Sequence, residues 1–538
     1  MSRMSSSDEI TITKEVNDMT TPQVEQVITM AKDYNLIPIV RTLLADMETP
    51  IRIFRRFAKH DRAFLLESVE GGVQWARYSF IGTDPFLMFS VKKGEVVIEK
   101  NGEKQASVSV KPVEELKAIL RQYRSPELPE MPPFTGGAIG FFGYDLLQYY
   151  EKLPAHQVDD MNMQDVQFMF CDQVIVFDHI KQRILLVANV HVNEGDTDEE
   201  IKQAYAAAEK KLDEAAGYLQ QEGPGESFNR RPIPAHVELG DVCSNLTKEQ
   251  FIANVEKGKE YIRAGDIFQV VLSQRFHIET EVDPLHVYRV LRTMNPSPYM
   301  YYLKMDDEII VGTSPEVLVK VEGDRVETRP IAGTRPRGAT EEEDLRHESD
   351  LLQDEKERAE HVMLVDLGRN DLGRVSDFGT VKCDSYMEIE RYSHVMHMVS
   401  KVSGQIRHDK DFFDAFLSCM PAGTVSGAPK LRAMEIIAEL EPEARGTYAG
   451  GIGYLGFSGN MDSCITIRTI VFKKGKAYVQ AGAGIVWDSV PESEYQESVN
   501  KAKALLTAIR TAEMMFPPQA GGDAVINQDY LYEYNPQA

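Results

Sequence analysis

The sequence predicts an α+β fold built on antiparallel β-sheets. Short apolar runs separated by Gly and Asp turns, such as residues 86–91 and 95–100, are typical of strands joined by hairpins. The helix-like segments come in blocks between groups of strands, whereas regular parallel winding would place one helix after each strand. At 538 residues the chain is also long enough for two or three structural units.

The sequence of the first half of the chain predicts one helix, a series of strands and two further helices. Residues 21–36 have a helical period, and residues 51–57 (IRIFRRF) resemble the first of several strands. The pattern then predicts, in order, an amphipathic helix, two paired strands and a long charged helix at residues 113–123, 173–179, 183–190 and 196–220.

The second half follows a predicted linker. Residues 226–245 lie in a segment with Gly, Pro and no periodicity, which separates an N-terminal region (21–225) from a C-terminal region (246–515). The C-terminal region again mixes hairpin-like strands with helices. The polar ends, residues 1–20 and 516–538, are expected to be loose tails.

The charge and the cysteines exclude several classes of protein. The net charge is -25, from 84 acidic and 59 basic residues, so a broad nucleic-acid or anionic-membrane surface is not expected. No secretory signal or membrane-spanning run occurs, and the five cysteines have neither disulfide-framework nor zinc spacing. We therefore expect a cytoplasmic protein, whose locally positive pockets remain compatible with a small anionic substrate.

Two pairs of glutamates are the most informative chemical feature. Glu357 and Glu360, and likewise Glu494 and Glu497, are three residues apart at the start of helix-like runs. Residues i and i+3 share one helix face, so each pair can direct two carboxylates to one point. Such oxygens suit Mg²⁺, although in an acidic chain the same pattern is commonly a solvated helix face. Both interpretations remain open from the residues.

Other candidate site residues have equally plain alternatives. Arg468 lies among apolar residues of an expected strand and needs an anionic partner, either a protein acid or a substrate carboxylate. Gly482-Ala483-Gly484 permits close approach by a ligand or by another strand. His397 is either an ordinary histidine or a site residue. The Gly-rich loop 421–430 either holds a carboxylate or is a tight turn before a helix.

One apparent nucleotide motif is rejected. Residues 451–456 fit the pattern G-x-G-x-x-G, but a dinucleotide site requires a strand before the glycines and a helix after them. Here the glycines lie within an alternating run that continues through a Gly-Asn turn into another strand. We therefore predict a hairpin and no NAD site.

Several segments occur together in the order typical of one enzyme family. The segments are PIAGTR (330–335), GTSPEVLVKVEG (312–323), EHVMLVDLGRNDLGR (360–374), PAGTVSGAPKLRAMEII (421–437), YAGGIGYLGF (448–457) and AGAGIVWDSVPESEYQES (481–498). They resemble the chorismate-utilising enzymes, in particular the large subunits of the anthranilate-forming members. The resemblance extends from about residue 21 to 510. The resemblance implies two large antiparallel sheets packed together and flanked by helices. It also implies a Mg²⁺-dependent lyase that converts chorismate and ammonia to anthranilate and pyruvate in tryptophan biosynthesis. A separate glutaminase subunit would supply the ammonia within a heterotetramer.

The resemblance assigns roles to individual residues. Glu360 and Glu497 match direct Mg²⁺ ligands, with Glu357 and Glu494 in the outer shell. Glu316 matches the acid that protonates the departing C4 hydroxyl. The remaining matches are the ring-lining residues His397 and Thr424, with His397 also a candidate base, and the chorismate contacts Gly333, Thr334, Tyr448, Arg468, Gly482, Ala483 and Gly484.

Two positions distinguish the chemistries within the family. Related aminodeoxychorismate synthases use a lysine nucleophile where this chain has Ala332, and isochorismate-forming members use a lysine base where it has Gln269. Neither residue here can perform those steps, which favours direct attack of ammonia at C2. An aminodeoxychorismate synthase-type subunit and a catalytically silent subunit on the same fold remain the alternatives.

The resemblance also implies a regulatory site in the N-terminal region. Ser68, at the end of a strand-like run, together with Pro298, Tyr299 and Met300, matches a tryptophan feedback site. The alternative is a strand end and an unrelated turn. Inhibition would require coupling between this site and the catalytic site.

Overall fold

The computed structural model describes residues 20–68, 77–220, 231–392 and 395–517. These residues form 24 strands and eleven α-helices. The strands, in chain order, are β1 (Leu36–Leu44), β2 (Arg62–Glu67), β3 (Tyr78–Thr83), β4 (Leu87–Lys92), β5 (Glu95–Lys100), β6 (Glu103–Val108), β7 (Gly137–Phe142), β8 (Val166–Cys171), β9 (Gln173–Asp178), β10 (Arg183–His191), β11 (Cys243–Ser244), β12 (Gln269–Glu279), β13 (Tyr299–Met305), β14 (Glu308–Ser314), β15 (Val317–Glu322), β16 (Arg325–Thr328), β17 (Ile331–Pro336), β18 (Lys382–Arg391), β19 (Val395–Gln405), β20 (Gly427–Ala428), β21 (Gly451–Gly456), β22 (Met461–Ile465), β23 (Thr469–Lys473) and β24 (Lys476–Ile485).

The helices lie between groups of strands, as the sequence predicts. They are α1 (Val24–Met30), α2 (Pro50–Phe57), α3 (Pro112–Leu120), α4 (Asp198–Gln220), α5 (Lys248–Ala264), α6 (Pro284–Met294), α7 (Glu341–Gln353), α8 (Glu355–Gly373), α9 (Phe412–Cys419), α10 (Lys430–Leu440) and α11 (Pro491–Met515). Two short 3₁₀ turns occur at Tyr144–Tyr149 and Gly423–Val425.

The strands form two large antiparallel sheets, which confirms the expected fold class. Sheet A has the order β1-β10-β9-β3-β2-β13-β14-β23-β24-β12-β11, with β20 paired to β12. Sheet B has the order β17-β19-β16-β15-β22-β21-β7-β8-β4-β5-β6, with β18 paired to β19. Each sheet therefore joins a block of strands from the first half of the chain to a block of strands from the second half. The division of regulation and catalysis between two chain regions stays a prediction.

Three hydrophobic clusters hold the layers together. One cluster lies between the sheets and includes Phe64 and Tyr301 of sheet A and Phe141 and Ile452 of sheet B. A second joins sheet A to α1, α2, α4, α6 and α11, and a third joins sheet B and the β12–β24 edge to α3, α5, α8, α9 and α10. Because both faces of the strands are covered, many of them are apolar on both sides.

The predicted strand at residues 51–57 is wrong, because this segment forms helix α2. Thr49 caps the helix by accepting the amide of Arg52, and Pro50 occupies its first turn. Ile53, Phe54 and Phe57 are buried at helical spacing. The predicted first helix is likewise shorter than expected, since α1 ends at Met30 and β1 already begins at Leu36.

The glycine-rich segment 451–456 forms the predicted hairpin. Strand β21 pairs with β22 in antiparallel register, as expected for a turn at Gly459 rather than a nucleotide-binding helix. Strand β21 also pairs with β7, and Gly140 faces Gly453 across this pair. A Cβ at Gly140 would lie 1.9 Å from the carbonyl oxygen of Gln167 in β8, so the close approach of β7 to β8 requires glycine.

The predicted tails and part of the predicted linker lie outside the described residues. In residues 231–245 only the two-residue strand β11 interrupts an irregular course. Within the described ranges, no helix is both long and apolar enough to cross a bilayer.

Candidate active site

Two chain crossings between the sheets lie side by side and carry two of the expected site residues. Glu316 lies between β14 of sheet A and β15 of sheet B, and Arg468 lies between β22 of sheet B and β23 of sheet A. The Ile465 amide donates to the Glu316 carbonyl at 3.0 Å, and the Thr313 amide donates to the Arg468 carbonyl at 3.1 Å. These bonds satisfy backbone groups that leave the sheets and hold the crossings together.

The Glu316 side chain is a buried acid with one hydrogen-bond partner among the described residues. Only 8% of the residue is exposed, and the Thr424 hydroxyl donates to its Oε1 at 3.0 Å. Burial raises the pKa of Glu316 to about 8, although the Thr424 hydrogen bond and the nearby Arg468 charge both oppose this rise. Glu316 is therefore protonated at neutral pH and can act as a proton donor.

The prediction that one strand carries Arg468 is wrong. Strand β22 ends at Ile465, and Arg468 lies in the crossing with a φ of 49°, in the left-handed region. In the described part of the chain, no carboxylate lies within ion-pair distance of its guanidinium, while burial lowers its pKa. Arg468 is thus a cation beside the neutral Glu316 carboxyl, and an anionic ligand would suit it.

His397 is held against the bulged strand β17. Its Nδ1 lies 3.2 Å from the Gly333 carbonyl oxygen and 3.0 Å from the Thr334 hydroxyl. Because a carbonyl only accepts, this geometry places a proton on Nδ1 and leaves the Nε2 lone pair available. Burial lowers the pKa of His397, so its ring is neutral near pH 7.

Gly333 links this strand to the acidic helix α8. It has a φ of 76°, and a Cβ there would lie 2.9 Å from Leu351 and 3.2 Å from the Glu357 carboxylate. Glycine therefore allows β17 to pass directly beside Glu357.

The glycine strand β24 forms another wall of the site. Gly482, Ala483 and Gly484 pair with Ser273, Leu272 and Val271 of β12. A Cβ at Gly484 would lie 2.6 Å from the Gln269 Nε2, and this same nitrogen lies 3.5 Å from Glu360 Oε1.

The four predicted metal-site glutamates come from the first two turns of α8 and α11. Burial, followed by the charges of Glu357 and Glu497, raises the pKa of Glu360, and burial with the Glu497 charge raises that of Glu494. The two acidic pairs therefore lie close enough to repel one another. Glu357 is 3.2 Å from Arg335, and Glu497 is 2.7 Å from Lys501.

The donor set of this acidic cluster fits Mg²⁺. Within the described ranges, no three acidic, histidine or cysteine side chains converge as a complete metal shell. Magnesium, however, commonly takes one or two protein carboxylates and completes its octahedron with water and substrate oxygens. The mutually repelling carboxylates of the half-buried Glu360 and the exposed Glu497 would be stabilised by such a cation.

Tyr448 and Thr424 complete the group around the crossings. The backbone next to Tyr448 pairs with the crossing, because the Ala449 amide donates to the Thr466 carbonyl at 2.9 Å. A small cavity of about 40 Å³ is lined by Glu316, Gly423 and Thr424, with apolar residues of α8 opposite.

A separate and larger cavity contains the predicted regulatory residues. It has a volume of about 720 Å³ and is lined by Ser68, Pro298, Tyr299 and Met300, among others. Strands β2 and β13 bring these residues together, since Glu67 pairs with Met300. The Ser68 Oγ is buried and bonds no described residue. This cavity lies apart from the residues around Glu316 and Arg468.

Sequence reasoning missed some residues that organise the site. Arg335 contacts Asp350, Asp354 and Glu357, and so holds the first turn of α8 against β17. Arg335 directly follows Gly333 and Thr334, and this position could have suggested a contact with the acidic segment that comes next in the chain. No local sequence pattern, however, indicated that Arg335 contacts these three acidic residues.

The fold and the site define a two-sheet α+β protein with a buried acid, a half-buried arginine and an acidic cluster grouped at the junction of its sheets. The sequence profile of the chorismate binding enzyme family matches residues 62–507. A curated relative, anthranilate synthase component 1 of Acetivibrio thermocellus, is 55% identical over 91% of this chain and 99% of its own length. Its counterpart from Bacillus caldotenax is 47% identical over 90% of this chain and 96% of its own length.

A solved structure gives the same result. The crystal structure of anthranilate synthase component I from Streptococcus pneumoniae has a TM-score of 0.71 and 38% identity, and covers 86% of this chain and 99% of its own. The chain therefore belongs to the chorismate binding enzyme family, within which these similar proteins are anthranilate synthase component 1.

Proposed function

We propose that this chain is the chorismate-binding subunit of an anthranilate synthase, a Mg²⁺-dependent lyase that converts chorismate and ammonia to anthranilate and pyruvate. The observation that carries the proposal is the protonated Glu316 beside Arg468 in a family of chorismate binding enzymes. Hydroxide is a poor leaving group, so loss of the C4 hydroxyl of chorismate requires a positioned acid.

Substrate binding uses cations against the carboxylates of chorismate. Arg468 would receive the enolpyruvyl carboxylate, because its partly buried guanidinium has no protein carboxylate at ion-pair distance in the described ranges. The neighbouring Gly482–Gly484 and Gly333 segments would allow the ring to approach the backbone closely. Tyr448, Thr334 and Thr424 would line the remaining walls.

Glu360 and Glu497 would hold Mg²⁺, with Glu357 and Glu494 acting through water. When bound, the ion would supply a positive charge that neutralises and orients the ring carboxylate of chorismate. The raised pKa of the half-buried Glu360 supports this assignment, because a carboxylate beside other carboxylates needs a nearby cation to remain ionised.

The protein groups then account for the two chemical steps. Ammonia forms the new C–N bond at C2 while the ring double bonds shift, the C4–O bond breaks, and Glu316 protonates the departing oxygen so that water leaves. His397 next removes the C2 proton through Nε2. The C3–O bond breaks, enolpyruvate leaves and takes a proton at its methylene carbon to become pyruvate, and the ring becomes aromatic. The neutral state of His397, which follows from its lowered pKa, supports its role as this base.

Ala332 and Gln269 occupy the positions at which related enzymes carry a lysine, and both support ammonia as the nucleophile. Ala332 cannot form a covalent adduct, and Gln269 cannot deprotonate water. Ammonia already carries a free lone pair and needs no base. The name component 1, borne by the similar proteins, supports a partner component, and we propose a glutaminase subunit in a heterotetramer as the ammonia source.

The large cavity would bind tryptophan as a feedback inhibitor. Its volume of about 720 Å³ is ample for an aromatic amino acid, and its wall contains Tyr299, Met300 and Pro298. The Ser68 hydroxyl, which bonds none of the residues that the structure describes, supports a ligand there, because a buried polar atom without a partner costs free energy.

The test supplies the purified chain with chorismate, Mg²⁺ and an ammonium salt at mildly alkaline pH, with no partner added. Appearance of anthranilate fluorescence is the expected result. A non-fluorescent aminated product would instead identify an aminodeoxychorismate synthase-type enzyme. A folded chain that leaves chorismate unchanged would refute both activities and indicate a silent subunit.

A further inference from the structure

A completely buried ion pair lies directly behind the proposed active site. Arg445 is 1% exposed, and its Nε and Nη2 donate to the two carboxylate oxygens of Glu441, each at 2.7 Å. Neither residue lines the cavity beside Glu316. The pair therefore has no direct access to a bound substrate.

The remaining donors of Arg445 reach two different walls of the site. Its Nη1 donates to the Val425 carbonyl at 2.8 Å, and Val425 ends the 3₁₀ turn that carries Thr424. Its Nη2 also donates to the Val271 carbonyl at 2.8 Å, and Val271 pairs with Gly484 of the glycine strand.

Glu441 extends the same connection along β12. Its Oε1 accepts the amide of Ser273 at 2.7 Å and the Ser273 hydroxyl at 3.0 Å. Ser273 faces Gly482 across the β12–β24 pair. The Arg445 guanidinium carbon also lies 5.4 Å from the centre of the Tyr448 ring, over its face.

Stability alone is a poor explanation for this arrangement. Desolvation largely offsets the attraction within a buried ion pair, and apolar residues of similar volume stabilise a protein about as well. What apolar residues would not provide is a set of directional bonds. Here those bonds end beside Thr424, Gly482, Gly484 and Tyr448, all of which are proposed to contact chorismate.

We infer that the Glu441–Arg445 pair is the positioning element of the active site, which fixes the Thr424 turn, the glycine strand and Tyr448 relative to one another. This inference rests on the proposed function. Both residues act through the groups that they hold and touch no reacting atom. Because displacements of about 1 Å can reduce turnover roughly 100-fold, loosening the pair reduces kcat. The KM for chorismate changes little, since Arg468 and the acidic cluster remain in place.

The experiment compares the wild-type chain with Arg445→Lys, Glu441→Gln and the double variant. Lysine keeps the charge but lacks the planar fork that reaches several acceptors at once. The matched control is Arg56→Lys, since Arg56 is also buried (8% exposed) and bonded to the Leu219 carbonyl, but lies in α2 against β2 and β3. The melting temperature of each protein is measured first, and kcat and KM are then measured well below that temperature.

We expect kcat to fall about 100-fold in each single variant and no further in the double variant, because the two residues act as a unit. Arg56→Lys should lower the melting temperature without changing kcat. A folded Arg445→Lys chain with kcat within about twofold of wild type would overturn the positioning role, as would an equal loss of kcat in Arg56→Lys.

Two further measurements ensure that the experiment can still contradict the inference. If Arg445→Lys does not fold, Ser273→Ala removes the hydroxyl bonds to Glu441 and Gln480, keeps the amide bond to Glu441, and should lower kcat at least about threefold, whereas an unchanged kcat would overturn the inference. Wild-type turnover is measured in parallel. An inactive wild-type chain would overturn the proposed function itself, while an active wild type with unimpaired variants would overturn only the role of the pair.

Discussion

Replacing Glu316 with glutamine isolates proton donation from shape and charge. Glutamine has the size of the protonated glutamic acid, and its oxygen can still accept the Thr424 hydroxyl hydrogen bond, which spans 3.0 Å in the wild type. It cannot donate a proton to the C4 oxygen. General acids contribute about 10²- to 10⁴-fold to rate, so kcat should fall within that range while the KM for chorismate changes little.

The same substitution has a predictable effect on stability. The pKa of Glu316 rises from an ordinary value of 4.5 to about 8 in the folded chain. The folded state therefore holds a proton that the unfolded chain has released above about pH 4.5, and its stability declines as pH rises from there through about 8. Glu316→Gln removes this dependence and should be more stable than wild type by up to about 5 kcal/mol at pH 9, with little difference near pH 4.5.

Two measurements and a control variant check this reasoning. Anthranilate fluorescence gives kcat, whose wild-type value should fall about tenfold per pH unit above pH 8 as Glu316 ionises. Thermal melts at pH 5 and pH 9 give the stability difference. Glu439→Gln, at an exposed glutamate of α10, serves as the control and should behave as wild type. A Glu316→Gln chain with more than about a tenth of wild-type kcat would refute the assignment of Glu316 as the acid.

The remaining predictions concern the metal, the inhibitor and the glycine strand. Glu497→Gln should raise the Mg²⁺ concentration for half-maximal activity about tenfold or more, whereas Glu492→Gln, one turn away on the exposed face of α11, should not; equal titrations would remove Glu497 from the metal site. Ser68→Arg should fill part of the 720 Å³ cavity and raise the tryptophan concentration for half inhibition at least about tenfold with kcat intact, and unchanged inhibition would contradict that site. Gly484→Ala places a Cβ 2.6 Å from Gln269 Nε2 and should lower kcat/KM for chorismate about tenfold; a folded variant with wild-type kcat/KM would show that this close approach is dispensable.

The acidic helix faces could be predicted because their pattern is local. Glu357 and Glu360 are three residues apart, and Asp354 just before them accepts the amides of Lys356 and Glu357 as a helix cap. Such spacing fixes a common face without knowledge of the rest of the fold. That α8 and α11 approach one another is a long-range fact, and only the family resemblance indicated it.

Residue type misled the assignment of residues 51–57. Ile51, Ile53, Phe54 and Phe57 have high strand propensity, whereas Thr49 and Pro50 signal a helix start. The cap and the apolar spacing decided the outcome, since propensity is the weaker determinant once an apolar face can be buried. The Glu441–Arg445 pair was missed for another reason, because an i,i+4 acid–base pair is usually exposed and its burial depends on segments far away in sequence.

The location of Arg468 shows why the site itself could not be derived from hydrophobic patterning. Apolar residues continue from β22 into β23 because both strands are buried, so nothing in the pattern marks the point at which the chain leaves sheet B for sheet A. That crossing places Arg468 beside Glu316. It also joins the two cavities, since Asp462 of β22 receives the hydroxyl of Tyr299 in the large cavity, and Tyr301 lies 2.6 Å from the hydroxyl of Thr469, the residue after Arg468. If tryptophan inhibits as proposed, a ligand that displaces β13 or β22 would move the substrate-binding arginine through these bonds, so regulation and catalysis would depend on the same two strands.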